Sequence, residues 1–338
     1  MTRAASAVAA GAFWLASIVS ATAFDLQGHR GARGLAPENT LPAFTTALSI
    51  GVTTLELDVG MTRDGILVVS HDPRLNANFT RLDGAFLETS GPALRELTLA
   101  EVKRYDVGRL KPGSQYAKAF PDQMPVDGTA FPTLAEVFEL ARASPVGFNI
   151  ETKITPTSGT ETPDPETFVR AIVETAREAG VLDRITIQSF DWRTLKAAST
   201  IAPEVPRVCL TAELRALDNI QKDNPGGSPW TAGLKASEFG GSTPALVKAA
   251  GCSTWSPLLE RDAGEPRRRQ GSGARRRAVD RQRLERGRAP DRLGCRRAHH
   301  RLPGPAAQAP GGQGRGRLDE IETDGAATPF PQDRPFVR

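Results

Sequence analysis

The sequence predicts an α/β protein whose parallel strands belong to a barrel of the (β/α)8 type. Three observations carry that expectation. Short apolar runs alternate with amphipathic stretches from residue 24 to residue 257, most of the intervening segments are long enough for parallel crossovers, and strand after strand ends on ionisable residues. With 39% hydrophobic and 24% charged residues, the composition excludes a wholly disordered chain, a collagen-like chain and a multi-span membrane protein.

In chain order the strand candidates are FDLQGH (24–29), TTLELDV (53–59), ILVVSH (66–71), VGFNIET (146–152), RITIQSF (184–190), PRVCL (206–210) and CSTWS (252–256). Helical patterns lie between several of them: NTLPAFTTALSIG (39–51), TLAEVFELARA (133–143) and PETFVRAIVETAREAG (165–180). Thr133 and Glu136 are spaced as a capping box, and Gly180 suits a helix stop. TTLELDV and ILVVSH are separated only by GMTRDG, with Asp64-Gly65 at the tip. A parallel crossover takes about a dozen residues or more, so these two must form an antiparallel hairpin. ILVVSH is then an accessory strand, and the body supplies six of the eight parallel strands a closed barrel needs. Residues 73–131 are irregular and polar, as expected of an inserted loop or small cap over the barrel mouth.

The two ends of the chain differ from this body. Residues 1–23 read as a secretory signal, with Arg3, the apolar run AVAAGAFWLASIV and the small-residue site Ala21-Thr22-Ala23. A periplasmic or secreted protein is expected, with no stable membrane insertion after cleavage, because the apolar run is short for a bilayer span. Residues 1–257 hold 16 Arg and 8 Lys against 28 acids, a net of −4; residues 258–338 hold 19 Arg, no Lys and 11 acids, a net of +8. Such a basic tail could serve as a nucleic-acid arm. It lacks interleaved aromatics, and export argues against that partner, so no nucleic acid is expected. Three cysteines do not make a disulfide framework. Cys209 and Cys252 can pair in an oxidising compartment or remain two buried thiols.

The chemistry-bearing residues sit at strand ends. His29 lies in GHRGARG and His71 in SHDP. In Glu56-Leu57-Asp58, period-two alternation points both carboxylates to one face; Glu151-Thr152-Lys153 does the same with a carboxylate and an ammonium. A lone histidine or a Glu-x-Asp pair is more often structural. Recurrence at the same end of successive strands, which converge on one barrel mouth, points to a site. Glu56, Asp58 and Glu151 would repel one another without a cation, and an all-oxygen set suits one Ca2+ or Mg2+ better than Zn2+. Arg30 and Lys153 add positive charge suited to a phosphate. Two histidines, a hard cation and cationic clamps fit cleavage of a phosphate ester.

HRGARGLAPENT (29–40), LELDVGMTRDGILVVSHD (55–72), NIETK (149–153) and QSFDW (188–192) resemble the glycerophosphodiester phosphodiesterases, which are TIM barrels. The resemblance runs from about Gly28 to Pro257. It implies that His29 and His71 are the acid/base pair, that Glu56, Asp58 and Glu151 bind the metal, and that Arg30 and Lys153 contact the phosphate. Glu38 and Asn39 fall in the PENT turn, where a structural role is expected because Asn39 can cap the following helix. The implied reaction is metal-dependent hydrolysis of a small glycerophosphodiester to glycerol 3-phosphate and an alcohol. Two other readings stand beside it: a phospholipase D-type activity on lysophospholipids or sphingomyelin, and a catalytically silent remnant or basic interaction protein.

The tail fits an out-of-frame extension. RQGSGARRRAVDRQRL can be back-translated so that the next reading phase encodes VKALGLVVVPWTVND, and in the same phase APDRLGCRRAHHRLPGPAAQ permits RLIDLGVDGLITDFPDLLR. Both resemble the end of the family and would supply two further strands in order. The sequence therefore predicts a signal segment (1–23), a barrel body (24–257) and a disordered tail (258–338) after a frame lost near residues 258–265.

Overall fold

The computed structural model describes residues 25–258 and the backbone pairing of His300–Arg301. The expected signal segment, and the expected tail apart from Leu258 and that pair, lie outside the described residues. The elements that frame the sheet are β1 (Gln27–His29), α1 (Leu41–Ile50), β2 (Thr54–Met61), β3 (Leu67–Val69), α2 (Leu134–Leu140), β4 (Gly147–Thr152), α3 (Pro165–Glu178), β5 (Ile185–Ser189), α4 (Trp192–Ile201), β6 (Arg207–Leu214), α5 (Thr243–Ala249) and β7 (Thr254–Leu258), with shorter helices and strands between them. Six strands pair in parallel in the order β1-β2-β4-β5-β6-β7. Antiparallel β3 hangs on β2, with Val59 opposite Val69, as the short GMTRDG turn requires. On its outer edge β7 pairs antiparallel with His300–Arg301.

Alternation sorts the strands' two faces. Leu55, Leu57 and Val59 of β2, Phe148 and Ile150 of β4, and Ile185 and Ile187 of β5 join one buried cluster with Phe44, Phe138, Phe168 and Leu195 of the helices. The intervening residues, Glu56, Asp58, Asn149, Glu151, Thr186 and Gln188, therefore share the opposite, inner face. That face curls. Asn149 on β4 donates to Gln27 on β1 at 3.0 Å, and Gln188 on β5 to Glu56 on β2 at 2.7 Å, each across an intervening strand. Strands two apart in a flat sheet are separated by roughly 10 Å with side chains standing off the same face, so these bonds are favoured by a barrel-like curvature that tilts the inner side chains together.

The helices start and stop where their sequence says they should. Thr133 and Glu136 close the capping box of α2, with backbone N–H bonds of 2.7 and 3.1 Å. Asp164 caps α3, Pro165 opens it, and Phe168, Val169, Ile172, Val173 and Ala176 form its buried stripe. Gly180 ends it at φ +68°. Residues 73–131 build a second apolar cluster, with Leu75, Phe79, Leu94, Phe120 and Phe131 gathered on Val68 of β3. Cys209 in β6 and Cys252 just ahead of β7 form a disulfide, with Cα atoms 5.8 Å apart.

Candidate active site

Sheet register brings the site together. His29 stands opposite Glu56 on neighbouring strands, and Asp58, Glu151 and Gln188 lie side by side across β2, β4 and β5. One oxygen each of Glu56, Asp58 and Glu151 lies within 4.8 Å of the others, and all three residues are buried. Oxygens that share a Ca2+ at about 2.3–2.6 Å can be at most about 5 Å apart, so this hard, all-oxygen set fits such a cation. His29 Nε2 is 3.8 Å from Glu56 Oε2. Lys153 Nζ is 2.7 Å from Glu151 Oε1 and 3.7 Å from Asp58 Oδ1.

The turn after β1 is shaped to serve this cluster. Gly31 has φ +80°, and a Cβ there would fall 2.7 Å from the Ala43 carbonyl carbon, so the turn can tuck against α1 only with glycine. Arg30, itself left-handed at φ +53°, aims its backbone N–H at Glu56 Oε2 (2.8 Å). Its side chain is buried: Nη1 donates to Glu38 Oε1 (2.8 Å), and Nε lies 3.2 Å from Asp58 Oδ2. Burial disfavours the Arg30 charge, but Glu38 and Asp58 outweigh it and raise its pKa well above the ordinary value. Burial would likewise push the Asp58 carboxyl up; Arg30, then His71 and Lys153, together with the Asn39 amide, hold it well below the usual carboxylate range.

Asn39 corrects an expectation. The cap of α1 is Thr40, whose hydroxyl accepts from Ala43 N–H at 3.3 Å. Asn39 is left-handed (φ +54°), which turns its amide inward to donate to Asp58 Oδ2 at 2.9 Å. Glu38 is also part of the site's surroundings, bridging Arg30 and the hydroxyl of Tyr116, which donates to it from the 73–131 insertion. Burial and Glu38 keep the Tyr116 phenol protonated, its pKa raised well above the ordinary value.

All seven residues singled out from the sequence are thus gathered around the C-terminal ends of β1–β4. His71 follows β3; its Nδ1 lies 2.8 Å from Asp72 Oδ1, and it acts electrostatically on Asp58. Burial opposes ionisation of Asp72, but His71 and the Asn76 amide lower its pKa to about 2. Sequence reasoning passed over Asp72, Tyr116 and Gln188. Asp72 stands next to a selected histidine, and Gln188 lies in register with Glu151; Tyr116 left no periodic trace.

A β/α-barrel scaffold thus gathers buried carboxylates, two histidines and two cations about its strand ends, and similarity to known proteins gives the class to which it belongs. The chain belongs to the glycerophosphoryl diester phosphodiesterase family, whose profile matches residues 29–240. It is 34% identical over 180 residues to a glycerophosphodiester phosphodiesterase of Caldanaerobacter subterraneus subsp. tengcongensis, covering 52% of this chain and 62% of that protein. Against a glycerophosphodiester phosphodiesterase of Bacillus subtilis it is 30% identical over 188 residues, covering 54% and 57%. Among solved structures it is similar to a candidate glycerophosphoryl diester phosphodiesterase of Silicibacter pomeroyi, with TM-score 0.58, 31% identity and coverage of 68% of this chain and 73% of that one. The chain spans less than two thirds of the length of these two curated relatives.

Proposed function

We propose that this chain carries the site of a divalent-cation-dependent phosphodiesterase that hydrolyses glycerophosphodiesters to glycerol 3-phosphate and an alcohol. The observation that carries the reading is the convergence of Glu56, Asp58 and Glu151 within 4.8 Å, beside His29, His71, Arg30 and Lys153. Glu56, Asp58 and Glu151 would hold a Ca2+ or Mg2+, which when bound polarises the phosphoryl group. Lys153 and Arg30 supply the positive charge that draws a phosphodiester to that spot. An ionised Asp72 can only accept, so the Nδ1 of His71 is the donor and Nε2 is the nitrogen that exchanges protons with substrate. One histidine takes the proton of the attacking hydroxyl and the other returns one to the leaving alkoxide.

Two further readings accompany this one. The Cys209–Cys252 disulfide supports an oxidising compartment and so export through the 1–23 segment. The ordered alternative-phase segments support a frame lost near residues 258–265. Resequencing the locus is expected to find a one-nucleotide insertion or deletion between the codons of Trp255 and Arg267, and the restored protein to gain orders of magnitude in turnover. A confirmed frame with a fully active printed chain would overturn this.

The test of function is turnover of glycerophosphocholine against lysophosphatidylcholine by the restored protein. Preference for the first supports the reading; preference for the second favours a phospholipase D-type reaction. His29→Ala or His71→Ala should each reduce turnover by about 10²–10⁴-fold, the usual worth of acid–base catalysis. Retention of full activity by either variant rejects its role.

A further inference from the structure

We infer that Gln188 is a positioning residue for the cation site, the last link of an amide chain that fixes how Glu56 presents its carboxylate; this rests on the metal reading above. Gln188 is buried and its Nε2 donates to Glu56 Oε1 at 2.7 Å. Its Oε1 accepts from Asn149 Nδ2 at 3.1 Å. The same Asn149 nitrogen donates to Gln27 Oε1 at 3.0 Å, and Gln27 Nε2 donates to Asp25 Oδ2 at 2.7 Å. Thr186 Oγ1 donates to Asn149 Oδ1 at 2.9 Å.

A primary amide can face either way, but this chain leaves no choice. An ionised carboxylate only accepts, so Glu56 at one end and Asp25 at the other each turn a glutamine nitrogen towards themselves. Both glutamine oxygens then face inward, where the Asn149 nitrogen donates to both. The Thr186 hydroxyl locks the Asn149 oxygen on the far side. Glu56 thereby has one oxygen held by Gln188 and the other by the Arg30 backbone N–H at 2.8 Å. The plane of a metal-ligating carboxylate is set by groups that touch no metal, and groups of that kind commonly control affinity. A core role alone would be met by aliphatic residues at these inward positions, without a polar chain that ends on Glu56.

The test is calorimetric titration of the full chain with Ca2+ and with Mg2+, alongside thermal unfolding in chelator. Gln188→Met keeps length and volume but removes the donor. It should weaken cation affinity by about 10–100-fold, the usual effect of losing such a partner. Thr186→Val, three hydrogen bonds from Glu56 and only partly buried, should weaken affinity in the same direction by less, and it decides the matter if Gln188→Met does not fold. Ile187→Val loosens the same strand on its outer face and should lower the unfolding temperature while leaving affinity unchanged. Unaltered affinity in a folded Gln188→Met, or in Thr186→Val should Gln188→Met not fold, would overturn the inference but not the metal reading. Absence of cation binding by the unsubstituted chain would overturn both.

Discussion

The two ends of the first two parallel strands treat acidic residues in opposite ways. At the N-terminal end, Asp25 is exposed and held by neutral donors: the hydroxyls of Thr53 and Thr54, at 2.8 and 2.7 Å, and the Gln27 amide at 2.7 Å. At the C-terminal end, Glu56 and Asp58 are buried with Glu151 and lie among Arg30, Lys153, His29 and His71. Water screens an exposed carboxylate, so a few hydrogen bonds suffice. A buried one needs opposite charge, and three crowded together call for more positive charge than side chains alone provide. The contrast separates an exposed acid from a buried set at the two ends of the same strands.

Substitution at the two ends should expose that difference. Asp58→Asn removes one partner of a buried pair and strands the Arg30 charge. The expected loss is about 3 kcal/mol, at the lower end of what breaking such a pair costs because Glu38 still faces Arg30. Denaturant unfolding reads it.

A smaller effect lies in the acid limb. Asp72 titrates at about 2 rather than 3.8, so its contribution is fully present above about pH 4 and is lost as pH falls towards 2. Asp72→Asn should flatten the decline of stability over that window relative to the unsubstituted chain. An unchanged slope in urea-midpoint measurements would contradict the pairing with His71.

The smallest change is expected at the other end. Asp25→Asn should shift stability by less than about 1 kcal/mol, as for an exposed polar contact. A loss at Asp25 as large as that at Asp58 would erase the contrast.

The strands, the hairpin and the clustering of the seven selected residues could be read from local pattern. Alternation alone puts Glu56 and Asp58 on one face, and a turn too short for a crossover dictates the β2–β3 hairpin. The surrounding partners were hidden for different reasons. Asn39 occupies a position that also suits a helix cap, and only its left-handed backbone turns it towards Asp58. Gln188 is one polar residue in an alternating strand; its partner Glu56 is 132 residues away and meets it through sheet curvature. Tyr116 reaches Glu38 from an insertion without periodicity, across 78 residues. The Cys209–Cys252 bond was undecided because a spacing of 43 residues fits a disulfide or two separate thiols equally well.

The central claim is that Glu56, Asp58 and Glu151 form one divalent-cation site. Calorimetric titration of the full chain and of Glu151→Gln with Ca2+, repeated with Mg2+, tests it most directly. The account predicts one saturable cation per chain, displaced by chelator and lost in Glu151→Gln, with the fold retained by circular dichroism. Equal binding by both proteins, or no binding by the unsubstituted chain, would contradict it.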